Sequence, residues 1–456
     1  MIPQRLPLPY PGRDGRHRYF ERIRHAPWPV MLDSGGGTGE KARYDILSAW
    51  PSTTLTTQGT TTTIRQEDGF RSSDEDPFAL LNQALGEYAR PFPDLPFAGG
   101  AIGVFAYDLG RRVERLPALA DADIHLPDMA VGIYDWAVLI DHVEQTATLV
   151  KAGRAAQPSW ENLVSLFTGP DPEPAPGAFR LTSDWTSNMD RAAYGRAFRR
   201  IQDYIRAGDC YQVNLAQRFS ARFEGDPYAA WRLLTEHNRG PFSAFMSLPQ
   251  GAVLSISPER FLRVSHGIVT TEPIKGTRPR HPNPSEDARL AEELRTSPKD
   301  RAENVMIVDL LRNDLGKSCT LGSVSVPELF GVYSFPAVHH LISTVTGTLA
   351  PGKTAVDLLR GAFPGGSITG APKVRAMEII EELEPHRRSV YCGTMGYIGY
   401  NGDMDTNITI RTLVAEGDKI HAWAGGGLVA DSDEAAEYQE TYDKVGKILP
   451  VLTATM

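Results

Sequence analysis

Cysteine is almost missing from this chain. Cys210, Cys319 and Cys392 are the three in 456 residues, scattered and without a CxxC pair. That argues against a disulfide framework or a cysteine-based zinc site. A reducing compartment, the cytoplasm, is the expected location. Long apolar runs are missing too. None approaches the roughly 18 residues of a membrane span, and the best candidate, 130–140, is broken by Asp135. Residues 1–25 lack the apolar core of a secretory signal. Positive charge is in short supply: 47 Lys and Arg face 56 Asp and Glu, for a net charge of −9. Nucleic-acid proteins usually present a basic face, so neither nucleic acid nor membrane is an expected partner. A local basic pocket for an anionic metabolite remains compatible with that balance.

What is present is ordinary globular composition, 41% hydrophobic and 23% charged. The length allows two or three modules, or one large mixed unit. Residues 1–150 carry short β-rich runs such as 100–107 (GAIGVFAY) and 129–141 (MAVGIYDWAVLID), and a Thr-rich stretch, 53–63, that reads as exposed strand or loop. Residues 151–187 read as a linker centred on 169–177, with four prolines in nine residues. From 188 to 456 helices, strands and Gly-rich turns alternate. Ser297-Pro298 predicts a helix over 299–316, with Ser297 as cap and Gly316 as stop. Val305, Val308 and Leu311 would form its apolar stripe. Residues 405–414 and 419–423 read as two strands, with Arg411 in mid-strand beside Asn407 and Thr409. A last helix is expected over 433–448, capped by Asp431 or Ser432.

Several groups could carry chemistry. Asp300 and Glu303 lie three apart on one helix, and Glu437 and Glu440 three apart on another, with Lys444 one turn on. Carboxylates so spaced share a face and can converge on one hard cation. With no His/Cys cluster to compete, Mg2+ is preferred to zinc. The plainer alternative is two solvated helix faces. Residues 364–373 (PGGSITGAPK) and Gly425-Gly426-Gly427 offer tight turns with free backbone N–H groups. The first is a failed P-loop, with Ala371 where Lys is required. Lys275, between an apolar residue and Gly276, is either a poised nucleophile or a surface lysine beside a turn. Arg411 suits a substrate carboxylate or a structural ion pair. His340 suits a general acid or base, or a satisfied core position.

Taken together these stretches reproduce an ordered motif set. Residues 208–215 (GDCYQVNL), 257–261 (SPERF), 273–280 (PIKGTRPR), 299–314, 339–343 (HHLIS), 366–377 (GSITGAPKVRAM), 391–399 (YCGTMGYIG), 407–413 (NITIRTL) and 424–444 span about 240 residues in order. The chain resembles the chorismate-utilising enzymes: anthranilate synthase component I, aminodeoxychorismate synthase component I, and the isochorismate and salicylate synthases. Residues 96–109 (PFAGGAIGVFAYDL) and Leu32-Asp33-Ser34 resemble N-terminal elements of the same family. The resemblance implies an α+β fold of two layers, with two β-sheets packed centrally and helices outside.

Lys275 points to one branch. Anthranilate synthases typically read PIAGT here, and the aminodeoxychorismate synthases PIKGT. The resemblance thus implies a transaminase-type transferase in 4-aminobenzoate and folate biosynthesis. It would turn chorismate and ammonia into 4-amino-4-deoxychorismate through a covalent Lys275 adduct at C2. Gln212 stands where the isochorismate and salicylate enzymes carry a Lys base for water, which favours amination. By resemblance, Glu259 is the general acid. Glu303 and Glu440 are Mg2+ ligands, with Glu437 and Asp300 near them. Tyr391 and Arg411 bind the enolpyruvyl carboxylate; Thr369, Gly426 and Lys444 line the pocket; His340 positions substrate. Ammonia comes from a separate glutamine amidotransferase subunit, because no cysteine here sits at a nucleophile elbow. Leu32-Asp33-Ser34 and 238–245 resemble the family's tryptophan site, but Arg239 replaces a proline, so at most a structural tryptophan is expected. Anthranilate synthesis and a non-catalytic binding subunit are the alternatives.

Overall fold

The computed structural model describes residues 2–35, 43–172, 177–335 and 338–456. The middle of the proline-rich stretch, 173–176, lies outside them.

The described strands form two large antiparallel sheets. The first runs, edge to edge, Gln4–Leu8, Thr146–Lys151, Trp136–Asp141, Tyr44–Ser48, Val30–Asp33, Phe242–Leu248, Gly251–Ser257, Thr412–Glu416, Lys419–Leu428, Gln212–Gly225 and Phe179–Leu181. The second runs Ile274–Pro279, Val338–Thr348, Ile268–Thr271, Arg260–Ser265, Met404–Ile408, Thr394–Gly399, Gly100–Phe105, Met129–Tyr134, Thr53–Gln58, Thr61–Gln66 and Gly69–Ser73. Strands from residues 1–150 and from 188–456 therefore pair within both sheets, for example Asp33 with Ser243 and Val104 with Met395. The stretch 151–187 carries a helix, Trp160–Thr168, and the edge strand Phe179–Leu181.

Period-two alternation sorts the side chains of these strands. Val30 joins the core between the sheets, while its neighbour Met31 joins a second core under the helices Trp160–Thr168, Pro227–His237 and Leu449–Thr453. The Thr-rich segment obeys the same rule. It forms a hairpin in which Leu55, Thr57 and Thr62 are fully buried, so it is one-sided rather than exposed.

Local chemistry explains most helix ends. The helix Pro298–Gly316 starts where Ser297 Oγ accepts from Asp300 N at 3.3 Å, with Pro298 in the first turn. Its buried face is Asn304, Ile307, Val308, Leu311, Asp314 and Leu315; Val305 is 39% exposed and off the stripe. The helix Glu434–Val445 is capped by Asp433, whose carboxylate accepts from Ala435 and Ala436 N. Ser432, one of the two expected caps, instead hydrogen-bonds Glu437.

The segment 405–414 is not one strand. Met404–Ile408 belongs to the second sheet and Thr412–Glu416 to the first. Between them Arg411 takes φ +49°, and the chain crosses from one layer to the other. Arg411 is therefore aimed by a bend and not by strand alternation.

Candidate active site

The site gathers where the two sheets, the helix Pro298–Gly316, the helix Glu434–Val445 and the turn Gly366–Ile368 meet. Lys275 comes from the strand Ile274–Pro279, which is irregularly paired with Val338–Thr348 between Ile274 and Thr277. Gly276, at φ +84°, follows it, and a Cβ there would press on Asp300 Oδ1 at 2.8 Å. The Lys275 amine donates to the Ser367 carbonyl at 3.2 Å. Burial lowers its pKa, while the charges of Glu259 and Glu303 pull it back up and Lys444 adds to the lowering. This half-buried lysine is no surface residue. A larger share of it is neutral amine than in water.

Glu259 lies just before the strand Arg260–Ser265 and is only 8% exposed. Burial pushes its carboxyl up to about 7, against Lys275, whose charge pulls it down. Ser367 Oγ donates to Glu259 Oε1 at 3.3 Å. A carboxyl with that pKa can hold a proton near neutral pH and deliver it.

The acidic residues surround this pair. Glu303 is raised by burial, then lowered by Lys275 and Lys299, and raised again by Asp300 and Glu437. Glu437 is raised by burial, partly offset by its bond from Ser432, and is repelled by Glu440. A Cβ on Gly426 would meet Glu437 Oε2 at 3.0 Å and Glu440 Oε1 at 3.7 Å, so glycine leaves room for both carboxylates. Lys444 pairs with Glu440 at 2.7 Å and donates to Gly425 O at 2.7 Å. Asp300 is held by Arg278 at 3.0 Å. Among the described residues no three His, Cys, Asp or Glu side chains form a metal cage by themselves. Mg2+ commonly needs only one or two carboxylates plus an anionic substrate. Glu437, which repels Glu303 and is repelled by Glu440, links an all-oxygen set, so the residues fit the cation.

Arg411 reaches solvent yet is walled by protein, and desolvation lowers its pKa while Glu259 raises it. Among the described residues no carboxylate pairs with it at salt-bridge distance, which leaves the guanidinium free for an anion. His340 feels its charge: burial first, then Arg411, lowers the imidazole to about 4, so it is neutral at pH 7. Its Nδ1 meets Thr277 Oγ1 at 2.9 Å. Tyr391 is buried and stacks on Trp423, centroids 5.9 Å apart and planes 4° from parallel. Thr369 is fully buried and donates to Gly365 O and Gly366 O, bracing the turn that carries Ser367. Gln212 is fully buried, and both its amide atoms lack a protein partner. A buried amide left open at both ends suits a ligand or ordered water.

Of the residues singled out from the sequence, Lys275, Glu259, Glu303, Asp300, Glu437, Glu440, Lys444, Gly426, Arg411 and His340 are linked through contacts or charge interactions, Thr369 braces the turn that carries Ser367, Gln212 lies beside Gly427, and Tyr391 lies against Trp423. Sequence reading missed four neighbours. Ser367 carried no signal beyond its place in GSITGAPK. In the sequence Trp423 marks only the end of the strand read over 419–423. The buried Arg388–Glu384 pair, 2.6 Å, lies beside Tyr391: the Arg388 guanidinium is 5.6 Å from the Tyr391 ring.

The family model for a chorismate binding enzyme matches residues 30–450. The chain belongs to that family. It is 54% identical to the aminodeoxychorismate synthase component 1 of Escherichia coli K12, covering 96% of each chain. It is 40% identical to the anthranilate synthase component 1 of Thermus thermophilus, over 94% of this chain and 93% of that one. Among solved structures it matches anthranilate synthase component I from Streptococcus pneumoniae at a TM-score of 0.78 and 32% identity, covering 91% and 93% of the two chains. That likeness agrees with the two-sheet, α+β architecture described above.

Proposed function

We infer that the chain is the chorismate-using component of an aminodeoxychorismate synthase. The single observation behind the choice within the family is Lys275, desolvated and electrostatically coupled to Glu259, in a chain 52–54% identical to three proteins of that name. The activity assigned is a transaminase-type transfer to chorismate, with ammonia delivered by a glutamine amidotransferase partner in the cytoplasm.

The chemistry follows from the residues. The neutral Lys275 amine adds its lone pair to C2 of the ring. The two ring double bonds shift, the C4–O bond breaks, and the hydroxyl takes a proton from Glu259 and leaves as water. The Glu259 carboxylate then accepts the proton shed by the alkylated lysine. Ammonia adds at C4, the double bonds shift back, and the C2–N bond breaks, with a proton from the new ammonium returned to the departing amine. The sum is chorismate plus ammonia to aminodeoxychorismate plus water. A covalent route splits one hard displacement into two easier ones.

Arg411 and Tyr391 hold the enolpyruvyl carboxylate, and neutral His340 positions the ring without offering a proton. Gln212 cannot act as a base for water, which supports amination over hydration. Glu303 and Glu440 would hold Mg2+, with Glu437 and Asp300 beside them. When bound, the cation supplies charge compensation for the ring carboxylate.

A second reading, anthranilate synthesis, is favoured by the 40% identity to the Thermus protein. One assay separates them: purified chain, chorismate, Mg2+ and an ammonium salt, with products resolved by chromatography. Aminodeoxychorismate supports the first reading, anthranilate the second, and no turnover a binding subunit.

A further inference from the structure

Ser367 is the one residue hydrogen-bonded to both Lys275 and Glu259 among the described residues. Its carbonyl accepts from Lys275 Nζ at 3.2 Å, and its hydroxyl donates to Glu259 Oε1 at 3.3 Å. We propose that Ser367 is a positioning residue that sets the distance and orientation between the nucleophilic amine and the acid, and that its hydroxyl selects which Glu259 oxygen carries the proton. The proposal rests on the reading of Lys275 as nucleophile and Glu259 as acid.

The turn around Ser367 is built to stay in place. A Cβ on Gly365 would press on Ile408 Cδ1 at 2.9 Å, and one on Gly366 would collide with Leu310, so the backbone there is packed tight. The Thr369 hydroxyl donates back to Gly365 O at 3.1 Å and Gly366 O at 3.3 Å. Arg388 Nη1 donates to Ile368 O at 3.0 Å, and Asn214 N donates to Thr369 O at 2.8 Å. The turn is therefore anchored to the helix Pro298–Gly316, to the end of the strand Met404–Ile408, and to the strand Gln212–Gly225. Ser367 itself is 8% exposed.

The two bonds have different chemical consequences. A carbonyl accepts from an ammonium and, more weakly, from an amine, so the Lys275 bond can hold the nitrogen through its change of charge. One N–H is committed to the carbonyl, which leaves the amine lone pair free of that contact. The hydroxyl bond is selective: Glu259 accepts from Ser367 Oγ at Oε1 and also from the Ile274 backbone N–H, and the Ser367 bond biases which oxygen is left to carry the proton. Both groups act in the same step, the amine adding at C2 while the hydroxyl leaves C4. Their relative placement enters the rate directly.

The test is a double-mutant cycle on the full chain with chorismate, Mg2+ and ammonium salt. Ser367→Ala removes the hydroxyl and keeps the carbonyl. We expect kcat to fall on the order of 10- to 100-fold, part of the range that general acid catalysis supplies. KM for chorismate should stay within about twofold and the thermal transition should be retained, because the hydroxyl touches Glu259 and not the substrate-holding residues. In a Glu259→Gln background, the same Ser367→Ala change should alter the rate by less than about twofold, because the acid it positions is gone. Equal fold-losses in both backgrounds, a near-wild-type Ser367→Ala rate, or loss of the thermal transition would each overturn the assignment. A wild-type chain that makes no aminodeoxychorismate in the parallel assay would instead overturn the underlying functional reading.

Discussion

Replacing Glu259 by Gln should lower turnover by about 100-fold or more while leaving a measurable residual rate, and should make the protein more stable at neutral and alkaline pH. In the folded chain burial raises this carboxyl from its ordinary value of 4.5 to about 7. The folded state therefore binds more protons than the unfolded state between those two values, and stability falls as pH rises through that window. A shift of that size corresponds to about 3 kcal/mol of destabilisation once the group is fully ionised above pH 8. Gln has the shape of the protonated acid and cannot ionise, so it removes the loss. With an unfolding entropy of roughly 2 cal/mol/K per residue, a chain of this length gives about 1 kcal/mol/K, hence a Tm gain of about 3 °C. Scanning calorimetry of both proteins without ligand is the assay. At pH 8.5 the Gln variant should melt about 3 °C higher; at pH 5 the two should agree within about 1 °C. An equal difference at both pH values, or a Gln variant that melts lower at pH 8.5, would refute the argument that the site stores strain in a desolvated acid.

Turnover should show a bell-shaped pH dependence: it falls as pH rises past about 7, where Glu259 loses its proton, and falls toward acid as Lys275 gains one, its pKa being held below the ordinary lysine value. A flat profile from pH 6 to 9 would contradict both roles. Glu303→Ala and Glu440→Ala should each lower turnover at limiting Mg2+ by at least about tenfold with the Tm retained, because each removes a carboxylate that repels its neighbours until a cation is present; near-normal rates at limiting Mg2+ would remove the ligand assignment. Millimolar tryptophan should leave turnover unchanged. The cavity between Leu32, Asp33, Ser34 and Phe242 is about 90 Å³. That is smaller than the roughly 150 Å³ that admits benzene, and Arg16 at 2.9 Å already holds the Asp33 carboxylate. Clear inhibition would show that the pocket opens.

The helix Pro298–Gly316 was legible because its start depends on local chemistry, a serine cap and a proline in the first turn. Its burial was misjudged at Val305 because three-residue spacing drifts off a face that repeats every 3.6 residues. The segment 405–414 read as one strand because its apolar alternation is continuous, and only the positive φ at Arg411 reveals that the chain changes sheets. The acidic pair Glu437 and Glu440 was visible as a spacing, yet its placement over Gly426 depends on a tertiary contact between Glu434–Val445 and Lys419–Leu428. Ser367 was invisible for the same reason. Its partners are 92 and 108 residues away in sequence, and a lone serine in a Gly-rich turn has no pattern.

Covalent catalysis by Lys275 is the centre of the account, and mass spectrometry tests it most directly. Wild-type protein incubated with chorismate and Mg2+, without ammonia, should accumulate a mass increase of chorismate less water. Peptide mapping should place that adduct on Lys275, and adding ammonium should discharge it as aminodeoxychorismate. An adduct on another residue, or a Lys275→Ala variant that forms aminodeoxychorismate at the wild-type rate, would contradict the covalent route and leave Lys275 a positioning charge.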